Sequence, residues 1–196
     1  PFPDENVVFD GIDDFEGIPL IYGNNLDHFV VEDYDGPKAM MILSGDLFSR
    51  AVYDYAGISF TPIGGSGTIA NVTFNLLSQI GCSHIILMGQ DLCYTKERLY
   101  ADGSWTNPKI LEKQGLLKVY DIYGKEVYTS KTFANLKIDF ENMIKQYSHK
   151  GIEYFNCTEG GLDIEGAENL PLEDVLHMLP EYDFDSLIKE AFKDSA

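Results

Sequence analysis

An α/β fold, with a mostly parallel sheet covered by helices on both faces, is what the sequence predicts, on three observations. Short continuous apolar runs bounded by Gly, Pro or Asp, such as His84 to Met88, read as strands buried on both faces. From Ser66 to Ile80, Ile69, Val72, Leu76 and Ile80 recur at helical spacing, with Ala70, Thr73 and Leu77 widening the stripe. The run Ile58 to Pro62, a Gly-rich turn, that helix and the strand at His84 then follow in the order of a right-handed βαβ crossover. The fold expected is Rossmann-like.

Bulk properties bound what the chain does. Its 196 residues suit a single domain spanning 1–196. A chain of this size buries about 70% of its unfolded surface, so no metal or disulfide is needed to hold the core. Hydrophobic residues make up 44% and charged residues 23%, values of a globular protein. No apolar run reaches the roughly 18 residues that a membrane span requires, and no signal peptide is visible. Lys and Arg number 14 against 32 Asp and Glu, a net charge of −18, which repels nucleic acid and anionic lipid. A small phosphate ligand stays possible, because backbone N–H groups bind it locally. Three cysteines, Cys82, Cys93 and Cys157, form neither an even set nor a CxxC pair. They read as small core residues in a reducing cytoplasm.

The elements follow in order. Pro1 to Gly17 is an acidic, turn-rich loop whose Asp10, Asp13, Asp14 and Glu16 do not match a calcium loop. Ile18 to Tyr22 and Ala39 to Leu43 are predicted strands, Leu47 to Tyr55 a helix and Ile58 to Pro62 a strand. Gly81 suits the left-handed position after the helix at Ser66 to Ile80. Thr95 to Gly115, with Trp105, is a long polar loop of the kind that serves function or stays disordered. Val119 to Tyr123 and Lys125 to Tyr128 flank Gly124 as a hairpin. Thr132 to Ser148 is a helix and Ile152 to Asn156 a buried strand. Leu172 to Met178, behind Pro171, and Phe184 to Phe192 within the C-terminal segment 180–196 close the chain as helices.

Ligands of open α/β sheets bind outside the carboxyl ends of the strands, and two segments fall there. Gly64, Gly65, Ser66, Gly67 and Thr68 join a strand to the best helix, where close backbone approach and free N–H groups attract an anion. A tight turn with Ser66 as helix cap explains the same residues. The motif is neither GxGxxG nor a P-loop, since no Lys follows the glycines. Gly89, Gln90 and Asp91 end the strand at His84, and either face a ligand or cap a turn. Tyr94 and Tyr100 follow, with phenols able to donate to a phosphate without adding charge. His28, His84, His149 and His177 lack metal-ligand spacing, and no metal site or nucleophile elbow is predicted.

These residues carry a resemblance. Ile63-Gly64-Gly65-Ser66-Gly67-Thr68, Gly81-Cys82 and Ile85 through Tyr94 resemble the motility accessory factors, the group known as domain of unknown function 115. That group is also labelled as similar to archaeal 6-hydroxymethylpterin pyrophosphokinase. Asp121 through Thr129, Asn156-Cys157-Thr158-Glu159-Gly160-Gly161, Ile164 through Ala167 and Pro171 through Leu176 agree with it, so the likeness runs from about Ile18 to Leu179.

The resemblance implies a core similar to bacterial sialyltransferases and a link to flagellin glycosylation. Carried over, Gly64, Gly65, Ser66, Gly67, Thr68 and Gln90 would bind a CMP-sugar, used as co-substrate with no tightly bound cofactor. Asp91 would lie near its sugar or phosphate, and Tyr94 and Tyr100 would stabilise the departing phosphate. The partners implied are a nucleotide-sugar and a flagellin-like protein acceptor. The resemblance also implies a fragment of a longer protein, without the N-terminal nucleotide-binding strand. Three functions stay open: transfer of a nonulosonic acid to a protein hydroxyl, pterin pyrophosphokinase activity with ATP and Mg²⁺, and a non-enzymatic binding or assembly module.

Overall fold

The computed structural model describes residues 18–65, 67–94, 115–181 and 183–192. The acidic loop 1–17, Ser66, residues 95–114 with Tyr100 and Trp105, Tyr182 and residues 193–196 lie outside the described residues. Contacts divide the chain into two compact units, Pro1–Gly64 with Pro180–Ala196, and Gly65–Leu179.

The first unit holds β1 (Leu20–Gly23), α1 (His28–Asp33), β2 (Lys38–Met41), α2 (Leu47–Ala56) and, near the C-terminus, α6 (Phe184–Ala191). β1 and β2 pair in parallel, Leu20 opposite Lys38 and Gly23 opposite Met41. Beyond β2, Leu43 bridges Ile63 in parallel, with the Ile63 N–H donating to the Ile42 carbonyl at 2.8 Å and the Ser44 N–H to the Ile63 carbonyl at 2.9 Å. Asp46 starts α2 by accepting from the Ser49 N–H at 3.0 Å, and Gly57 ends it in the left-handed conformation that a residue with a β-carbon resists. Val30, Tyr34, Ile42 and Ile63 are buried, and the Tyr34 hydroxyl donates to the Ile18 carbonyl at 2.6 Å.

The strand expected at Ile58 to Pro62 is not formed; only Ile63 pairs. Two local effects explain this. The Ile58 N–H turns back to the Tyr53 carbonyl and Phe60 packs edge-on against Tyr53, while Pro62 has no N–H to give a ladder.

The second unit contains α3 (Ile69–Ile80), β3 (His84–Leu87), β4 (Leu117–Tyr120), β5 (Glu126–Thr129) and α4 (Lys131–Tyr147). A 3-10 turn, β6 (Glu153–Asn156), β7 (Glu168–Asn169) and α5 (Leu172–Met178) follow. β3, β6 and β7 form a parallel sheet in that order, His84 opposite Glu153 and Phe155 opposite Glu168. β4 and β5 form an antiparallel hairpin. Its turn is tied by Asp121, whose carboxylate accepts from the N–H groups of Tyr123 and Lys125 at 2.9 and 2.8 Å.

Alternation along β3 and β6 sorts the core onto two faces. Ile85, Leu87 and Tyr154 join Phe74 of α3 and Leu136, Phe140, Met143 and Ile144 of α4. Phe155 and Cys157 join Val175 of α5 and Ile86. Phe74 stacks on Tyr154 and meets Phe140 edge to face, both with ring centres 5.2 Å apart. α4 is set up locally, since Ser130 accepts from the Phe133 N–H at 3.1 Å and the apolar stripe then runs at helical spacing to Tyr147.

The α/β class with parallel strands and helices is therefore observed. The single mostly parallel sheet is not: the described strands pair in two separate parallel sheets and an antiparallel hairpin, and these pairings do not establish a Rossmann arrangement. The parallel crossover that forms runs from β3 through the hairpin and α4 to β6, rather than from residues 58–62 through α3 to β3. The periodicity of α3 is real, but nearness in sequence does not make residues 58–62 its partner strand. No helix among the described residues is long and apolar enough to cross a membrane.

Candidate functional site at the carboxyl ends of β3 and β6

β3 and β6 run parallel, so both release their chains at one edge of the sheet. After β3 come Gly89, Gln90, Asp91, Leu92, Cys93 and Tyr94; after β6 come Cys157, Thr158, Glu159, Gly160 and Gly161. The two loops are sewn together. The Cys157 N–H donates to the Leu87 carbonyl at 2.8 Å, the Gln90 N–H to the Thr158 hydroxyl oxygen at 3.0 Å and the Leu162 N–H to the Asp91 carbonyl at 2.8 Å. Thr158 is itself held, its N–H donating to Oδ1 of Asn156, whose amide donates to Asn169 at 2.9 Å.

The hairpin grips the same turn from another side. The buried Thr129 hydroxyl donates to the Leu92 carbonyl at 2.7 Å, and the Tyr94 N–H donates to the Tyr128 carbonyl at 2.7 Å. Leu92 has φ of 53°, the single non-glycine positive φ among the described residues. A left-handed residue with a β-carbon costs about 1–2 kcal/mol, so it persists only where its surroundings fix it. Here they do.

Of the residues predicted to act here, Gln90 and Asp91 are half-buried in this turn, and Tyr94 is half-buried with its ring 5.2 Å from that of Phe133 at the start of α4. Gly67 lies on α4 as well, where an added β-carbon would sit 3.3 Å from the Leu136 Cδ2. Phe133 and Leu136 are three residues apart on one helix, so the first turns of α4 touch both predicted segments. Gly64 belongs to the first unit and Gly65 to the second. Ser66 and Tyr100 lie outside the described residues.

The glycine turn has structural reasons for its glycines. A β-carbon on Gly65 would fall 2.7 Å from Val72 Cγ2 and 2.9 Å from Val72 Cα, and Gly67 has φ of 83°. The cap of α3 is Thr68, which accepts from the Asn71 N–H at 3.3 Å and donates to Asn71 Oδ1 at 2.7 Å. Thr68 rather than Ser66 thus fills the cap position, because the helix starts at Ile69.

Electrostatics at the edge are acidic. The Cys93 thiol is pushed up to about 11 by burial, with Asp91 and Asp121 adding to the effect. It is a packed side chain, as are the buried Cys157 and half-buried Cys82, and not a nucleophile. No group of three or more His, Cys, Asp or Glu is gathered for a metal among the described residues. Thr129, Thr158 and Gly161 stand in the sequence only within segments that carry the resemblance, with no site role attached to them. Their signal was present, for Asn156 through Gly161 repeats the pattern of an apolar strand running into polar and Gly residues that marked Gly89 to Asp91.

Residues 4–97 match the model of the family described as 6-hydroxymethylpterin diphosphokinase MptE-like, which bears out the resemblance at the level of the family. Comparison with curated proteins and with solved structures finds no match.

Proposed function

With residues 4–97 matching the model of the MptE-like family, we propose that the edge beyond β3 and β6 binds a CMP-sugar and serves transfer of a nonulosonic acid to a Ser or Thr hydroxyl of a flagellin-like protein. The observation that carries this reading is the braced Gly89–Tyr94 turn at the carboxyl edge of a parallel sheet, where α/β proteins hold nucleotides. In this reading Asp91 accepts hydrogen bonds from hydroxyls of the sugar or ribose, a role suited to a carboxylate, which has no proton of its own to give a phosphate. The first turn of α3, after Gly67 and Thr68, offers backbone N–H groups to the phosphate. The Tyr94 phenol, and Tyr100 with it, donates to the phosphate oxygen as the bond to the sugar breaks, where charge develops. Calorimetry with CMP tests the reading: the protein binds CMP, and Asp91→Ala weakens binding at least tenfold. Absence of CMP binding would reject it.

The family's description supports a second reading, transfer of diphosphate from ATP to a hydroxymethylpterin. Its Mg²⁺ would be met at this edge by Asp91 and the exposed Glu159. Mg²⁺-dependent formation of AMP from ATP, only with the pterin present, would place this reading first.

A further inference from the structure

We infer that Thr129 and Thr158 are positioning residues of the site, two hydroxyls that set the backbone path through Gln90, Asp91 and Leu92 and thereby aim Asp91. The inference rests on the ligand reading above for its consequence, and on geometry alone for its cause.

Both side chains are withdrawn from water, Thr129 to 1% and Thr158 to 6% exposure, so neither is available as a surface hydroxyl. Each hydroxyl bonds the backbone of this one turn, and that of Thr129 also reaches the Ser130 carbonyl at 3.4 Å. Thr158 accepts from the Gln90 N–H at 3.0 Å, and Thr129 donates to the Leu92 carbonyl at 2.7 Å, from opposite flanks of Asp91. A hydroxyl can do either, which is why the same residue type serves both positions.

Three further features locate the strain that these bonds restrain. Leu92 stands in the left-handed region, which a free turn would leave. Gly161 lies against the Asp91 backbone, so the turn has no room to relax toward β6. Asn156, 1% exposed, holds the Thr158 N–H at 3.3 Å and is held by Asn169, so the Thr158 brace has a fixed base. Loss of a buried partner leaves the Gln90 N–H or the Leu92 carbonyl unsatisfied, and the turn then gains a reason to move.

The test compares Thr129→Val and Thr158→Val, which keep shape and remove the hydroxyl, with Thr129→Ser and Thr158→Ser, which restore it. Thermal unfolding identifies variants that keep the fold. Amide hydrogen exchange over residues 89–92 reads the brace without any ligand. We expect at least tenfold faster exchange in the valine variants and recovery in the serine variants. Calorimetry with CMP then reads aim, with at least tenfold weaker binding in the valine variants and recovery in the serine ones. Unchanged exchange overturns the brace. Faster exchange with unchanged CMP affinity overturns the positioning role and leaves the CMP reading standing. A wild-type protein that binds no CMP overturns the CMP reading and the aiming role with it, while the exchange result still decides the brace.

Discussion

Gly161 lies so close to Asp91 that a β-carbon on it would sit 2.6 Å from the Asp91 α-carbon and 2.7 Å from its carbonyl oxygen. The contact is backbone to backbone, so no side chain can swing aside to relieve it. Gly161 also holds φ of 78°, and its carbonyl accepts from the Ile122 N–H at 3.0 Å, which ties the hairpin turn to the same point.

Gly161→Ala is therefore expected to destabilise the protein by about 1–3 kcal/mol from conformation alone, and to displace Asp91 besides. Gly160→Ala is the control, since its β-carbon meets no atom within 4 Å and only its φ of 134° opposes it. Urea unfolding of both variants, with CMP calorimetry, checks the order: Gly161→Ala should lose stability and ligand affinity together, Gly160→Ala stability alone.

Glu141 should govern part of the acid limb. Burial raises its pKa, but the Lys137 ammonium, the Glu165 N–H at 2.9 Å and the charge of Lys145 outweigh burial and hold the carboxyl below its usual value. A group that titrates lower when folded stabilises the fold while ionised. Its contribution is complete above the unfolded value of about 4.3 and disappears as pH falls through the lower folded value. Melting temperatures from pH 7 to about pH 3 are expected to fall less steeply for Glu141→Gln than for the wild type. Equal slopes would remove Glu141 from the account.

Cys93 should be inert in the native state. With its thiol pushed up to about 11 by burial and by Asp91 and Asp121, almost no thiolate exists at pH 8. Alkylation by iodoacetamide followed by peptide mass analysis should label Cys93 only after denaturation. Prompt native labelling would show that the turn opens.

Phe140→Ala tests the core that supports α4. Phe140 is fully buried against Phe74, and loss of such a side chain costs about 3–5 kcal/mol. Denaturant unfolding measures this directly. A smaller loss would mean that α3 and α4 close over the cavity.

Local signals were the legible part of the sequence. Gly81 at φ of 90°, the apolar face of α4 from Leu136 to Tyr147 and the run His84 to Leu87 each announce themselves within a dozen residues. Pairing was less legible. Ile58 to Pro62 has the composition of a strand, but Pro62 and the Tyr53–Phe60 contact decide otherwise, and α1 and the two-residue β7 are too short to show a period. At the site, Gln90 and Asp91 stood out as polar residues after an apolar strand. Thr129 and Thr158 did not, because a buried hydroxyl bonded across the fold looks in sequence like any other threonine.

The Gln90–Thr158 bond joins residues 68 apart in the chain. That separation orders events in time. α3, the hairpin and α4 form from near neighbours, whereas this edge needs the long loop between β3 and β6 closed, and closure entropy delays such contacts. A nascent chain that has not yet released Gly161 lacks the site together with Leu162, Ile164, Ala167 and Val175 of the core. Binding competence therefore arrives with the closing of the β3–β6 sheet and not before it.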